Sequence, residues 1–272
     1  MKDLTGRVVV ITGGARGIGR ATAERLSRAG CTVVIGDLDA ALAASVAREI
    51  GRGAVSAALD VTSAESWRTF LDATAEAGPV DVLVNNAGVM PIGPLMKEPD
   101  EVTRTIVDVN LHGVIHGTKA VVPGMSERGS GHVVNVASAV GRIAVADGAT
   151  YSASKFAVVG FSEAMRSELR PHGVDVSVVQ PTVVLTELSA GVPAAKGVKP
   201  VTADDVAHVI EQVLRRPKAE VWVPRWSQAV VRTTGVLPRF LQDAVARAMG
   251  ADQVFKAADT SVRAGYEERA RR

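Results

Sequence analysis

Seven short runs rich in β-branched residues punctuate the first 224 positions, with longer helical patterns between them, and few folds accommodate that alternation. The runs are RVVVI (7–11), TVVIG (32–36), AVSAAL (54–59), DVLV (81–84), HVVNVA (132–137), VDVSVV (174–179) and EVWVP (220–224). They are apolar on both faces, as strands covered by helices on each side must be; a half-exposed antiparallel strand would alternate polar with apolar residues. Strand, helix, strand in this order builds βαβ units on a parallel sheet. The expected fold class is α/β, a doubly wound parallel sheet of about seven strands with helices on both faces and a C-terminal helical extension.

The last helix before the seventh strand has clear bounds. Thr202 followed by Asp205 resembles a capping box, and Val206, Val209, Ile210, Val213 and Leu214 recur at helical spacing until Pro217. Pro224 is the expected boundary between a 1–224 domain and a 225–272 extension. In that extension Phe240, Leu241, Ala244, Val245, Ala248 and Met249 form an apolar stripe between Pro238 and Gly250. The stripe packs on the protein's own core, on a second subunit, or, as basic amphipathic helices do, in a membrane interface. Residues 215–272 hold 12 Lys/Arg against 6 Asp/Glu, whereas the preceding 214 hold 19 against 23.

With 47% apolar residues, a net charge of +2 and a single cysteine, Cys31, the chain is excluded from the disordered, collagenous and disulfide-stapled classes. So small a charge gives no electrostatic footprint for nucleic acid. No stretch of about 18 consecutive apolar residues occurs, so no transmembrane helix is expected. One unpaired cysteine, behind a start (MKDLTGRVVVI) that reads as a strand and not as a leader, leads us to expect a reducing, cytoplasmic setting.

TGGARGIG (12–19) follows the first strand and opens a helix. Glycines there allow a sharp turn and a close approach of pyrophosphate to backbone N–H groups, and the helix N-terminus adds about half a positive charge. Gly13, Gly17 and Gly19 are spaced Gly-x-x-x-Gly-x-Gly, not as the Gly-x-Gly-x-x-Gly fingerprint. Asp37 ends the second strand, where a carboxylate accepts hydrogen bonds from an adenosine ribose and repels a 2′-phosphate, so NAD is expected over NADP. Arg16 is suited to pair with a 2′-phosphate, and Asp39 is the alternative ribose carboxylate.

These residues resemble the short-chain dehydrogenase/reductase family in its single-domain, Rossmann-like form. TGGARGIG matches that family's TGxxxGxG, and Asp60-Val61, NNAG (85–88), Asn110, Ser138 and YSASK (151–155) follow in the family's order, over roughly residues 5–224. The residues themselves argue for proton chemistry. Tyr151 and Lys155 lie four apart on a helical pattern and share a face; a neighbouring ammonium is expected to lower the pKa of a phenol towards the working range of a general acid/base.

The resemblance implies more. Tyr151 would be the general acid/base, Lys155 would bind the nicotinamide ribose and tune Tyr151, Ser138 would orient the substrate oxygen, and Asn110 would hold a water in a proton relay. Cofactor contacts would come from Gly13, Arg16, Gly17, Ile18, Gly19, Asp37, Asp60, Val61, Asn86, Ala87, Gly88, Tyr151 and Lys155, and on the nicotinamide side from Pro181, Thr182, Val184 and Thr186. Thr182 stands where the family commonly has glycine, which puts the shape of that loop in doubt. A homodimer or homotetramer is likewise implied.

No metal site is expected: His112 and His116 are four apart but lack an intervening glutamate and a third ligand. The segments 89–97, 139–147 and 183–200 offer Met90, Ile92, Leu95, Val140, Ile143, Val145, Val184, Leu185 and Leu188 as pocket or core residues. An apolar pocket suits a hydrophobic alcohol or ketone. The expected function is therefore an NAD(P)-dependent oxidoreductase interconverting a hydrophobic secondary alcohol and its ketone. The alternatives are an enzyme like the nucleotide-sugar epimerases and dehydratases, and a non-catalytic dinucleotide-binding regulator.

Overall fold

The computed structural model describes residues 1–195, 197–250 and 253–270. Seven parallel strands form one sheet: β1 (Val8–Thr12), β2 (Thr32–Asp37), β3 (Val55–Ala58), β4 (Val82–Asn85), β5 (Gly131–Val136), β6 (Val174–Pro181) and, after a minor pair, β9 (Glu220–Val223). The minor pair is β7 (Val184–Leu185) with β8 (Val201–Thr202). The order β3-β2-β1-β4-β5-β6-β9 makes the sheet doubly wound. The chain builds outward from β1 to β3, then returns to the other side of β1, and the crevice at that reversal is where such sheets bind ligands.

Period-two geometry divides the strand residues between two cores. Val9, Ile11, Val33, Ile35 and Val84 pack under α1 (Gly17–Arg28), α2 (Ala40–Ile50) and α7 (Ala203–Arg215). Val8, Val10, Val34, Leu83 and Val133 face the side of α3 (Ala64–Ala73), α4 (Asp100–Val107), α5 (Gly113–Glu127) and α6 (Ala149–Leu169). Strand β6 runs two residues beyond its expected end because Gln180 and Pro181 pair with Trp222 and Val223. The capping box at α7 forms in both directions: Asp205 N–H donates to Thr202 Oγ1 (3.1 Å) and Thr202 N–H to Asp205 Oδ2 (2.8 Å).

A buried polar chain crosses the sheet. Asn85 and Asn135 face each other across β4 and β5, with Asn85 Nδ2 donating to Asn135 Oδ1 (2.9 Å). Asn135 Nδ2 donates in turn to Ser162 Oγ on α6 (2.9 Å).

Beyond β9 come α8 (Trp226–Gly235), α9 (Arg239–Met249) and α10 (Thr260–Ala270). Helix α9 occupies the span its apolar spacing predicts, but Phe240 and Leu241 are 68% and 39% exposed; Val245 and Ala246 turn towards the central cavity. Among the described residues no helix is long and apolar enough to cross a membrane.

Candidate active site

A cavity of about 1450 Å³ opens at the C-terminal ends of the strands, beside the β1/β4 reversal. At one end lies the glycine loop. Gly13 has φ +61°, and a Cβ there would come within 2.9 Å of Ala87 Cα; a Cβ on Gly19 would lie 2.1 Å from the Gly13 carbonyl oxygen. Glycine is thus required at both places so that loop, helix and β4 can close on one another. The loop is tied from behind: Thr12 Oγ1 accepts from the N–H groups of Asn86 and Ala87 (3.0 Å each), and Asn86 Nδ2 donates to the carbonyls of Thr12 (2.9 Å) and Gly13 (3.1 Å). Helix α1 starts at Gly17 with no side-chain cap and no acidic residue in its first turn. Its leading N–H groups therefore face the cavity with a partial positive charge, which fits a pyrophosphate.

Asp37 sits beside this loop, its Oδ2 accepting from Ala15 N–H (3.0 Å) and its Oδ1 from Asp39 N–H (3.1 Å). Each oxygen keeps a lone pair for a further donor. Asp39 is engaged elsewhere, capping α2 through Leu42 N–H (3.0 Å) and pairing with Arg16 (3.1 Å). Arg16 also lies 3.9 Å from Glu187, so two carboxylates already neighbour its guanidinium. Asp60 folds back on Thr62, its Oδ1 accepting from Thr62 N–H (2.9 Å) and Oγ1 (2.7 Å), while Asp60 and Val61 line the same end of the cavity.

Tyr151 and Lys155, one turn apart on α6, are 5% and 6% exposed. The Lys155 ammonium lies 5.8 Å from the Tyr151 ring centre and donates to the Val136 carbonyl (3.1 Å). Burial pushes the Tyr151 phenol up to about 12, against a smaller opposing pull from the Ser138 hydroxyl, and drives Lys155 down to about 8. The downward shift expected for the phenol is therefore reversed. Desolvation penalises both charged forms, and the ammonium sits by the ring and not at the hydroxyl. Ser138 ends the fifth strand's run, its Oγ accepting from Val140 N–H (3.3 Å). Asn110 lies in a π-helical turn, Asp108–His112, with no exposed surface. Its Nδ2 donates to the Val89 carbonyl (2.9 Å) and to Ser154 Oγ (3.0 Å), and its Oδ1 accepts from Val89 N–H (2.8 Å).

On the far side, Pro181, Thr182, Val184 and Thr186 line the cavity with Gly13, Gly17, Ile18, Asn86, Ala87 and Gly88. Thr182 donates its N–H to Val223 O (2.9 Å), and its φ is not positive, so this position needs no glycine. Thr186 packs on the loop: a Cβ at Gly17 would touch its Cγ2 at 3.2 Å. Of the apolar candidates, Met90, Val140, Ile143, Val145, Val184 and Leu188 line the cavity. Ile92 packs against that cluster, and Leu95 and Leu185 are exposed outside it. His112 is paired with Asp108 (2.8 Å) and His116 with the Val61 carbonyl (3.3 Å). Among the described residues no group of His, Cys, Asp and Glu is arranged to hold a metal.

Comparison with known proteins decides the family. The short chain dehydrogenase family profile matches residues 7–197. The chain belongs to this family. Similar relatives include the 3-oxoacyl-(acyl-carrier-protein) reductase of Vibrio harveyi, 36% identical over 188 residues that cover 69% of this chain and 77% of that one. The 3-alpha-(or 20-beta)-hydroxysteroid dehydrogenase of Mycobacterium tuberculosis is 37% identical over 191 residues, covering 70% and 74%. A short chain dehydrogenase/reductase from Burkholderia phymatum, solved with NAD, superposes with a TM-score of 0.78 at 27% identity over 85% of this chain and 94% of that one. A metagenomic short-chain oxidoreductase solved with NADP gives 0.71 at 34% identity, over 81% and 97%. This short chain dehydrogenase is therefore an NAD(P)-dependent oxidoreductase acting on CH–OH donors, built on the Rossmann-like fold.

Three cavity residues of this dehydrogenase lie beyond the reach of sequence reasoning. Phe255 sets its ring edge-on to Tyr151 at 6.4 Å, in space left free by Gly148. Tyr266 accepts a hydrogen bond from Met90 N–H (2.6 Å), and Arg263 is buried beside it. They stand in the tail after residue 197, where the family match has ended and no spacing pattern marks them.

Proposed function

We propose that this short chain dehydrogenase interconverts a hydrophobic secondary alcohol and its ketone, using NAD(H) as the preferred dinucleotide. The observation that carries the reading is the buried Tyr151–Lys155 pair at the meeting point of the glycine-loop half and the apolar half of one cavity. When bound, the dinucleotide supplies the hydride chemistry. The residues present fit it: uncapped N–H groups at α1 for the pyrophosphate, Asp37 for the adenosine ribose, and Lys155 and Thr186 towards the nicotinamide end.

Tyr151 holds its proton throughout the neutral range because burial disfavours the phenolate. That is the form needed to protonate a ketone oxygen, and Ser138 is placed to hold the same oxygen by a second hydrogen bond. Lys155, kept cationic below about pH 8, stabilises the phenolate left after transfer. Both amide protons of Asn110 are committed to Val89 and Ser154. A relay water would therefore be held by its main chain, and the side chain positions the turn. Asp37 favours NAD by repelling a 2′-phosphate, and Arg16 is already balanced by Asp39 and Glu187.

The test is Tyr151→Phe. Reduction of apolar ketones, followed at 340 nm, is expected to fall by about 10²- to 10⁴-fold while NADH binding, followed by fluorescence, is retained. Unchanged turnover in that variant would remove the basis of the assignment.

A further inference from the structure

Residues 253–270 form the wall of the cavity that faces Tyr151 from outside the sheet, and one side chain holds that wall in place. Arg263 is 1% exposed and spends its donors on active-site loops: Nη1 donates to the carbonyls of Leu188 (3.0 Å) and Ala190 (3.1 Å), Nη2 to the Met90 carbonyl (2.7 Å), and Nε to Glu267 (3.1 Å). Its guanidinium carbon also lies 5.2 Å from the centre of the Tyr266 ring. Burying a cation costs stability unless every donor is satisfied, and here it joins the Met90 loop, the 188–190 turn and α10. The Met90 peptide is held from both ends, its carbonyl by Arg263 and its N–H by the Tyr266 oxygen.

That second contact leaves Tyr266 with a function to spare. Accepting from Met90 uses one lone pair of the phenol and leaves its proton free, and among the described residues none accepts it. The hydroxyl lines a stretch of cavity whose other walls are Met90, Val145, Leu188, Val192, Val254 and Phe255. One donor in an otherwise apolar wall orients a ligand and rejects analogues lacking the matching acceptor.

We propose that Tyr266 donates its phenolic proton to a second oxygen of the substrate, remote from the oxygen at Tyr151, with Arg263 as the positioning residue that holds Tyr266 there. The substrate class is then an apolar ketone carrying an additional acceptor such as an ester carbonyl. This rests on Tyr151 being the proton donor. Because the wall lies beyond residue 197, selectivity of this kind is not carried by the segment that matches the family.

The experiment compares Tyr266→Phe with the parent on three ketones: 2-octanone, which has no second oxygen, and ethyl 3-oxobutanoate and ethyl 4-oxopentanoate, which place an ester at two distances. For at least one ester, kcat/KM is expected to fall by about tenfold, the scale of a lost hydrogen bond. The 2-octanone value and the dissociation constant for NADH should stay within about twofold of the parent's, a band well below that loss. A purely structural Tyr266, needed only to satisfy Met90 N–H, would slow all three ketones alike, and that result overturns the proposal, as does no change for any of them. Should the parent bind NADH yet reduce none of the three, the apolar-ketone reading fails first and takes this proposal with it.

Discussion

Replacing Lys155 by methionine is expected to make the cofactor-free protein more stable and inactive, and the size of the effect can be worked from its surroundings. The lysine is 6% exposed, and burial lowers its pKa from the ordinary 10.5 to about 8. At pH 7 the cation therefore costs the fold on the order of 3 kcal/mol relative to a neutral occupant, at about 1.4 kcal/mol per pKa unit. Methionine fills a similar volume but loses the hydrogen bond to the Val136 carbonyl, worth about 1–2 kcal/mol. The net expectation is a gain of about 1–2 kcal/mol at pH 7.

The pH dependence is the sharper signature. The unfolded chain keeps the lysine proton up to about 10.5 and the folded protein begins to lose it near 8, so between these values the unfolded state binds more protons. Parent stability must then rise with pH relative to Lys155→Met, by about 1 kcal/mol between pH 7 and 9. Cys31, raised to about 11 by burial, titrates with the opposite sign above its ordinary 9.0, but it is common to both proteins and cancels in the difference. Urea unfolding of both proteins at pH 7, 8 and 9 measures it. Parallel stability profiles, or a methionine variant less stable than the parent at pH 7, would refute the reasoning that desolvation governs this site.

Asp37→Ala is expected to shift the NADPH/NADH preference towards NADPH by on the order of tenfold, measured as a ratio of kcat/KM values, since a nearby carboxylate no longer repels a 2′-phosphate. Gly19→Ala must displace the Gly13 carbonyl, which would lie 2.1 Å from the new methyl; a stability loss of about 1–3 kcal/mol and at least tenfold weaker NADH binding are expected from denaturation and fluorescence titration. Arg263→Ala should raise KM for ketones with little change in NADH affinity, and Arg263→Lys should restore part of it; equal loss of NADH binding would show that the tail supports the whole fold and not the substrate wall.

The glycine turn, the Tyr151–Lys155 pair and the strand order were legible because each depends on residues close in sequence: a tight turn, one helical turn, and an apolar run with its crossover. Asn86 was legible as a cofactor residue, although its side chain mainly staples Thr12 and Gly13. The direction of the Tyr151 shift was not legible, since the distance from ammonium to phenol and the depth of burial belong to tertiary structure. Phe255, Arg263 and Tyr266 were invisible for a related reason. Their partners Tyr151, Leu188 and Met90 are about 75 to 176 positions away or more, and nothing periodic marks a single arginine that happens to be buried.

The Asn85–Asn135–Ser162 chain constrains how this sheet can assemble. Asn85 ends the strand that leads into Asn86 and Ala87, and Ser162 lies two turns beyond Lys155 on the same helix. Sliding β4 against β5 by one residue would bury these amides against valines with nothing to bond, so misregistered pairings are penalised twice, once by side-chain facing and once by stranded dipoles. A frame that rejects such slips delivers the dinucleotide loop and the proton donor to the same place in every folded molecule, before any ligand arrives to enforce it.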